Sequence, residues 1–343
     1  MQRITIKDIA RIAGVSVTTV SRALNHSSDI SEDTKERILR ICQEEGYRTN
    51  LLARSLISSK TNTLGLILPN IANPFHAQLA LSIETCAREN GYQVMLCSGR
   101  PGDGKIESMF EYLIAQRVDG VLLSSFGDQA RDLLLRYQDT VPSVLLGACA
   151  PDASGARINS VSTDNFAGGR MAAEYLYRLG HRDVVYLGLR PGSTTHAVRH
   201  LGFVTAAQEL GMQVTTVENT ISSSTTIESG YAIAQEFFSR PFSQTAMFTA
   251  SDAMALGAMQ VADQLGISIP EQLSIMGFDN IEYAALPGIR LTTLAQNTSR
   301  MARAAVRLLL EVGESDFRGE FTHKIIQPTL VERATCRPLP PYK

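Results

Sequence analysis

The stretch from residue 5 to residue 25 constrains the fold most, because its pattern predicts two short helices joined by a tight turn. Thr5, followed three positions later by Asp8, fits a capping box, so the first helix is expected to begin directly after Thr5. Gly14 provides the left-handed backbone that such a turn needs, and Ser16 fits the N-cap of the second helix. The sequence therefore predicts a helical hairpin in this stretch.

The second helix of this hairpin is predicted to have two different faces. Its apolar face comprises Val20, Ala23 and Leu24. The other face carries methyl groups, hydroxyls and one guanidinium, on residues Val17, Thr18, Ser21 and Arg22. An arginine can donate two bonds to a guanine edge, methyl groups can contact thymine methyls, and hydroxyls can reach phosphates or base edges. The same face also fits an ordinary solvated helix, so the hairpin alone leaves both interpretations open.

A longer match favours DNA binding. The segment resembles the N-terminal domain of the LacI/GalR family of bacterial repressors, whose pattern is matched by Lys7-Asp8-Ile9-Ala10, Ala13-Gly14-Val15-Ser16 and Thr19-Val20-Ser21-Arg22 through Asn25. The likeness extends over essentially the whole chain. Besides the helix face above, the resemblance implies DNA contacts at Thr5, Ser16, Thr19, Asn25, Asn50, Ala53 and Leu56.

A third helix is predicted from Ser31 to Gly46, with Ser31 as its cap and Gly46 as its C-terminal stop. Its core face is expected to be Ile38, Leu39, Ile41 and Cys42. The domain before the hinge is thus predicted to be all-α.

Residues 50–57 are predicted to form a very short helix that resembles the family's hinge. Isolated helices under about 12 residues do not repay their nucleation cost in water, so this one should become ordered only against a partner. The resemblance implies that two such helices insert Leu56 into the minor groove of DNA. The alternative is that Leu51, Leu52 and Leu56 pack on a core.

From Thr63 onward, short apolar runs alternate with amphipathic segments. Strands are predicted at residues 64–68, 93–97, 120–123, 143–146, 183–187, 213–217, 246–249 and 274–278. Helices are predicted at residues 74–88, 105–116, 128–137, 166–179, 197–210, 228–238 and 253–265. This alternation is typical of doubly wound parallel sheets, and 343 residues are enough for several domains.

The α/β rhythm restarts after Val161, which predicts two α/β subdomains with a cleft between them. Both resemble the periplasmic-binding-protein fold, in which the chain is expected to cross between subdomains near Ser162, Arg290 and His323. The predicted domains are residues 1–49 for the helix-turn-helix, 50–62 for the hinge and linker, 63–161 plus 291–323 for the first subdomain, and 162–290 plus 324–343 for the second.

Candidate ligand contacts follow the predicted strands, because ligands of open α/β sheets bind at the carboxyl ends of strands. Matched to the family, they are Phe75, His76, Asp164, Phe166, Arg199, Asp252 and Asp279. Carboxylates accept from neighbouring hydroxyls, a guanidinium donates to oxygens, and a flat ring covers a C–H face, so a sugar or sugar derivative is expected. Taken singly, Asp164 and Asp279 also fit helix caps, and Phe166 also fits a core position.

Three positions depart from the family pattern. Thr225 and Thr298 stand where many relatives carry an aromatic wall, and Gly147 stands where a charged residue is common. These departures predict a less stacked and roomier pocket. His76 fits stacking on a sugar, pairing with a carboxylate or phosphate, or filling of space.

Enzyme motifs are not supported. Residues 99–105 fit GxxxxGK, but the next residue is Ile106, which lacks the hydroxyl that binds magnesium in a phosphate loop. There is no GxSxG, HExxH or CxxC, and the five cysteines are an odd number. We therefore expect no enzymatic activity, no metal and no cofactor.

The charge distribution agrees with DNA binding at the N-terminal end. Residues 1–60 contain ten Lys and Arg against seven Asp and Glu, a balance of +3, whereas the remainder has a balance of −5. No export leader and no run of eighteen apolar residues is found, which predicts a cytoplasmic protein without a membrane partner.

The sequence thus predicts a ligand-responsive repressor that binds pseudo-palindromic double-stranded operator DNA as a homodimer. A sugar-binding transport component or a sugar-processing enzyme on the same fold is the alternative.

Overall fold

The computed structural model describes residues 4–24, 29–47, 60–99, 104–124, 128–147, 157–189, 193–220, 225–314 and 321–340. The chain divides into two compact units, Met1–Thr61 and Asn62–Lys343. Within the described ranges, no helix is long and apolar enough to cross a membrane.

The described part of the N-terminal unit contains three helices, α1 (Ile6–Ala13), α2 (Val17–Leu24) and α3 (Glu32–Glu44). They begin at the predicted caps: the Asp8 carboxylate accepts from the Thr5 N–H (3.0 Å), and the Ser16 hydroxyl accepts from the Thr19 N–H (3.0 Å). Gly14 has the expected left-handed backbone, with φ of 64°. The three helices enclose a small core of Ile9, Ala10, Ala13, Val20, Ala23, Ile38 and Cys42.

Leu39, predicted on the core face of α3, is only half-buried. It directly follows the buried Ile38, so the helical rotation of about 100° per residue turns it toward the edge of this face. Gly46 lies beyond the end of α3 with φ of 64°, which fits its predicted role as the stop.

The second unit alternates strands and helices. Its strands are β1 (Thr63–Leu68), β2 (Gln93–Ser98), β3 (Gly120–Ser124), β4 (Ser143–Leu146), β5 (Asn159–Thr163), β6 (Asp183–Leu189), β7 (Gln213–Glu218), β8 (Ala246–Thr249), β9 (Ser274–Asp279), β10 (Thr292–Ala295), β11 (His323–Ile326) and β12 (Thr329–Val331). Its α-helices are α4 (Pro74–Glu89), α5 (Ile106–Ala115), α6 (Asp128–Tyr137), α7 (Asn165–Arg178), α8 (Thr194–Glu209), α9 (Ile227–Phe238), α10 (Asp252–Gln264) and α11 (Thr298–Glu314).

The strands form two six-stranded sheets, in the orders β11-β5-β4-β3-β1-β2 and β12-β10-β9-β8-β6-β7. All neighbours are parallel except β12, which runs antiparallel to β10 at the edge of the second sheet. The central strands β1, β3, β8 and β9 are almost completely buried, as expected for parallel strands covered by helices on both faces. The predicted α/β class with two doubly wound subdomains is confirmed.

The chain changes sheet three times, at positions that correct the predicted boundaries. Strand β10 pairs with β9 in the second sheet, and β11 pairs with β5 in the first. The crossovers therefore follow β5, β10 and β11. The first lies next to Ser162, as predicted, whereas the other two lie after Ala295 and Ile326 rather than near Arg290 and His323. Assigning residues 291–295 to the first subdomain and 324–326 to the second was wrong, because the ladder pairing of these short strands, not their sequence position, decides their sheet.

Helices α7 and α8 pack backbone to backbone through two glycines. A Cβ atom on Gly169 would lie 2.1 Å from the Arg199 carbonyl oxygen, and one on Gly202 would lie 2.1 Å from the Phe166 carbonyl oxygen. Real Cβ atoms do not approach so closely, so only glycine fits at both positions. This close packing fixes the position of Arg199 on α8 relative to α7, which directly follows β5.

Candidate functional site

In the N-terminal unit, the predicted DNA-reading face of α2 is open to solvent. Val17 is 40% exposed, and Thr18 and Arg22 are exposed as well. Thr19 and Ser21 are half-buried, and the Thr19 hydroxyl lies 2.8 Å from the cap hydroxyl of the exposed Ser16. Thr5 is exposed at the start of α1. The predicted contacts that lie outside the described residues are Asn25, Asn50, Ala53 and Leu56.

The second unit contains a cavity between its two sheets, with a volume of about 100 Å³. That volume is below the usual range of small-molecule sites, about 300 to 1,000 Å³. Both subdomains line it, mainly with residues at the ends of strands and the beginnings of helices. Its amides and hydroxyls are Asn70, Asn73, Ser124, Thr163, Asn165, Ser193, Thr195, Thr225, Ser251 and Gln296. The other lining residues are Pro69, Phe75, His76, Leu79, Leu146, Gly147, His196, Arg199, Asp279 and Met301.

Arg199 is the cation of this cavity and is only 2% exposed. Its Nε and Nη2 donate to the Asn165 Oδ1 atom at 3.2 and 2.8 Å, and its Nη1 donates to the Ala250 carbonyl. The guanidinium carbon lies 3.5 Å from the centre of the Phe278 ring, a cation–π distance. Burial lowers the pKa of Arg199, and nearby Asp279 opposes that shift. The guanidinium is thus held in one orientation by neutral acceptors and an aromatic face.

Asp279 provides a carboxylate in the same cavity and is 6% exposed. Its Oδ1 accepts from the Gln296 Nε2 at 2.5 Å, while the Gln296 Oε1 accepts from the Thr163 hydroxyl at 2.8 Å. Burial raises the pKa of Asp279, and Arg199 opposes that shift. Gln296 therefore connects the end of β5 in the first sheet to the end of β9 in the second.

The first-subdomain wall of the cavity begins at the start of α4. The His76 Nδ1 lies 2.9 Å from the Asn70 carbonyl oxygen, and the Phe75 and His76 rings are 5.6 Å apart. Asn73 caps α4 with its Oδ1, which accepts from the Phe75 N–H at 3.0 Å. Its Nδ2 donates across the cleft to the carbonyl oxygen (3.0 Å) and hydroxyl (3.3 Å) of Thr225.

Four of the seven predicted ligand contacts, Phe75, His76, Arg199 and Asp279, line the cavity, and three do not. Asp164 instead caps α7, accepting from the Ala167 N–H at 2.9 Å. The Phe166 side chain is 37% exposed outside the cavity. Neither side chain lines the cavity because α7 begins at Asn165: the Asp164 cap oxygen is used by the helix, and the helical rotation turns residue 166 away from the cavity. Their roles as ligand contacts stay predictions.

Asp252 is also outside the cavity lining and is fully buried. Its carboxylate accepts from the Thr293 hydroxyl at 2.5 Å and from the Ile281 N–H at 2.9 Å. Burial raises its pKa, and these two hydrogen bonds oppose the shift. Asp252 therefore joins α10 to the segments after β9 and in β10, and its role as a ligand contact stays a prediction.

Sequence reasoning missed several lining residues next to those it named. Asn165 lies between Asp164 and Phe166, and Ser251 directly precedes Asp252. The rule that ligands bind at strand ends points to each of these segments but not to the individual side chain. Gln296 directly follows β10, which was not predicted, so no strand-end signal marked it.

Residues 5–50 match the family model for bacterial regulatory proteins of the lacI family, and residues 173–336 match that for a periplasmic binding protein-like domain. The chain is 33% identical over 331 residues to the HTH-type transcriptional repressor PurR of Serratia proteamaculans, covering 96% of each chain. The chain belongs to the LacI family. It is accordingly a DNA-binding transcriptional repressor and not an enzyme, as predicted.

Solved LacI-family structures share its fold. The Lac repressor dimer bound to operator and the anti-inducer ONPF is similar with a TM-score of 0.86 and 26% identity, over 98% of this chain and all of that chain. The regulator CelR in complex with cellobiose is similar with a TM-score of 0.70 and 29% identity, over 97% of this chain and all of that chain. The exposed face of α2 and the cleft cavity thus belong to a LacI-family repressor with a small-molecule effector.

Proposed function

We propose that the effector of this repressor is a neutral sugar or sugar derivative, and that it binds in the cavity between the two sheets. The observation that carries the proposal is the pairing of buried Arg199 with buried Asp279 among amides and hydroxyls. Among the lining residues that the structure describes, one cation and one carboxylate give no strong excess of either charge. A ligand with many hydroxyls suits such a lining, because each hydroxyl both donates and accepts.

The geometry of Arg199 supports a role as a donor to the ligand. Two of its nitrogens donate to Asn165 and the third to Ala250, which uses three of the five N–H groups. The remaining N–H groups are available on a guanidinium that lines the cavity. Phe75 adds an apolar ring to the same lining, which suits the C–H face of a sugar. The cellobiose-bound relative CelR also favours a carbohydrate.

Control of DNA binding follows from linkage. An effector that binds one orientation of the two subdomains more tightly shifts the population toward it by its difference in affinity. The crossovers that join the subdomains pass beside the cavity, at Thr163 and Gln296. We infer that the effector acts through this orientation on a cytoplasmic repressor that reads a pseudo-palindromic operator with Val17, Thr18 and Arg22 of α2.

We also infer that the repressor acts as a homodimer. Large apolar side chains are exposed on two helices of the first subdomain, where Leu81 of α4 is 66% and Tyr112 of α5 is 52% exposed. In the second subdomain, Leu265, Tyr283 and Leu286 are exposed as well. Exposed apolar groups of this kind are typical of protein interfaces. Analytical ultracentrifugation of the Leu81→Glu variant should show a monomer where the parent chain sediments as a dimer.

The test of the effector is a thermal-shift screen with ribose, glucose, gluconate, glucose 6-phosphate and cellobiose, followed by calorimetry. Arg199→Ala should weaken binding of the stabilising sugar by about 2 kcal/mol, since a bond to a charged group is lost. The exposed Arg240→Ala serves as the matched control and should bind normally. Unchanged affinity in Arg199→Ala, or stabilisation by none of the neutral sugars, would contradict the proposal.

A further inference from the structure

We propose that Asn73 and Thr225 form an interdomain latch that holds the two subdomains closed over the cavity and sets the repressor's sensitivity to its effector. The Asn73 Nδ2 donates to the Thr225 carbonyl oxygen at 3.0 Å and to its hydroxyl at 3.3 Å. Asn73 belongs to the first subdomain and Thr225 to the second. Because both partners are protein groups, this bond forms independently of any ligand. The inference rests on the proposed control of the cleft by an effector.

Both ends of the latch are held in place by helix caps. The Asn73 Oδ1 accepts from the Phe75 N–H at the start of α4, which orients the Nδ2 of the same amide. Thr225 directly precedes Thr226, whose hydroxyl accepts from the Ser229 N–H at 3.2 Å in the capping box of α9. Two groups fixed in this way lose little conformational freedom when they bond, so more of the bond energy favours closure.

Burial strengthens the same bond. Asn73 is only 4% exposed, so water competes poorly for its amide. Hydrogen bonds in such low-dielectric surroundings are stronger than those at a wet surface, and leaving the amide unpaired in place would be costly. When the cleft opens, the Asn73 amide loses its bond to Thr225 and must become exposed to water, which then replaces Thr225 as its hydrogen-bond partner.

The latch differs from the other polar link across the cavity. The Thr163–Gln296 bond joins residues at the crossovers themselves, which stay close when the subdomains rotate. Asn73 and Thr225 lie outside the crossovers, so rotation about the crossovers separates them. The latch bond therefore depends on the subdomain angle, whereas the Thr163–Gln296 bond acts as part of the hinge.

A typical net hydrogen bond changes an equilibrium about fivefold, which corresponds to about 1 kcal/mol. Removing the latch should therefore lower the ratio of closed to open protein at least about fivefold. A ligand that binds the closed cleft should bind correspondingly more weakly, because less of the protein is in the competent state.

The experiment uses Asn73→Asp in the full-length protein. The carboxylate keeps an oxygen that can cap α4, but it cannot donate and it repels the Thr225 carbonyl oxygen. Asn70→Asp is the matched control, because it introduces the same charge into the cavity lining while its Oδ1 can still accept from the Ala72 N–H, as in the parent chain. Pulsed EPR measures the subdomain separation without added sugar, with bioorthogonal spin labels at the exposed Gln116 and Glu236.

We expect a mainly short label-to-label distance in the parent chain and in Asn70→Asp, and a gain of longer distances in Asn73→Asp. Identical distributions in the parent chain and Asn73→Asp would overturn the latch, as would an equal shift in Asn70→Asp, which would reveal a general charge effect. Because no sugar is present, this result is independent of the effector's identity. If no sugar binds in the thermal-shift screen, the proposed effector is wrong. The label-to-label distances measured without sugar would still show whether the latch exists.

Discussion

A buried histidine should make the second subdomain sensitive to acid. His181 is fully buried before β6, and its Nδ1 lies 2.9 Å from the Thr245 hydroxyl. Burial lowers its pKa from the ordinary value of 6.5 to about 4, and the charges of Arg182 and Arg337 act in the same direction. The imidazole is therefore neutral in the folded protein at pH 5, where an unfolded chain would carry it charged.

The sign and size of the effect follow from these two values. The unfolded chain binds a proton below pH 6.5, whereas the folded chain resists protonation of His181 down to about pH 4. Stability from this group is therefore complete above pH 6.5 and is lost as the pH falls toward 4. Each unit of difference between the folded and unfolded pKa corresponds to about 1.4 kcal/mol, so the full loss of free energy of unfolding is about 3 kcal/mol. Between pH 7 and pH 5 the loss is about 2 kcal/mol.

The assay compares the parent chain with His181→Gln by urea unfolding at pH 7, 6 and 5, read by hydrogen exchange of peptides from β6 and β8. The parent chain should lose about 2 kcal/mol more free energy of unfolding than the variant between pH 7 and pH 5. Both proteins contain the same other titrating groups, so the difference between their changes in free energy of unfolding isolates the contribution of His181. Thr245→Val is the control: it removes the hydroxyl but leaves His181 buried, so it should keep the parent's pH dependence. Parallel pH profiles for the parent chain and His181→Gln would refute the reasoning.

Three further substitutions test other parts of the molecule. Arg22→Ala should weaken operator binding and relax preference at one base pair per half-site by about 1 to 3 kcal/mol, whereas equal weakening on all duplexes in a gel shift would make Arg22 a phosphate contact. Leu56→Ala, outside the described residues, should reduce operator affinity and DNA bending together in a circular-permutation assay, with effector binding unchanged. Gly202→Ala should lower the free energy of unfolding by about 3 kcal/mol in urea, because its Cβ meets the Phe166 carbonyl oxygen, while Gly288→Ala, with open space around it, should change little.

Local signals in the sequence predict most elements of the fold. The caps at Thr5, Ser16 and Ser31 and the alternation of apolar runs with amphipathic helices depend on neighbouring residues, which a sequence displays directly. The strands β5, β10, β11 and β12 were not predicted, because each has only three to five residues, with polar residues among them, and such a run is hard to distinguish from a loop. Helix α11 was not predicted either, although its sequence does carry a clear pattern. Its buried residues recur at helical spacing: they are Met301, Ala302, Ala305, Val306, Leu308 and Leu309.

The sequence located the segments that line the cavity to within about one residue, but it did not always identify the side chain that faces the cavity. Sequence reasoning named Asp164 and Asp252, yet their neighbours Asn165 and Ser251 line the cavity. In both segments the first turn of a helix begins at the strand end, so one residue of shift turns a side chain by about 100°. That rotation is fixed by how α7 and α10 pack on the second sheet, which is tertiary information. Arg199 does line the cavity, because the family motif around it identifies the position itself; its contact with a ligand stays a prediction.

The three crossovers have a consequence for how the chain is made. Ribosomal synthesis delivers the strands in sequence order, but the first sheet is completed only by β11, which is made after β6 to β10 of the second. Until β11 emerges, the edge of β5 offers unpaired backbone groups, which are a template for wrong pairing. The nascent chain must therefore carry two unfinished sheets at once. A chaperone that covers the β5 edge during this interval should raise the yield of folded repressor more than one that acts after release.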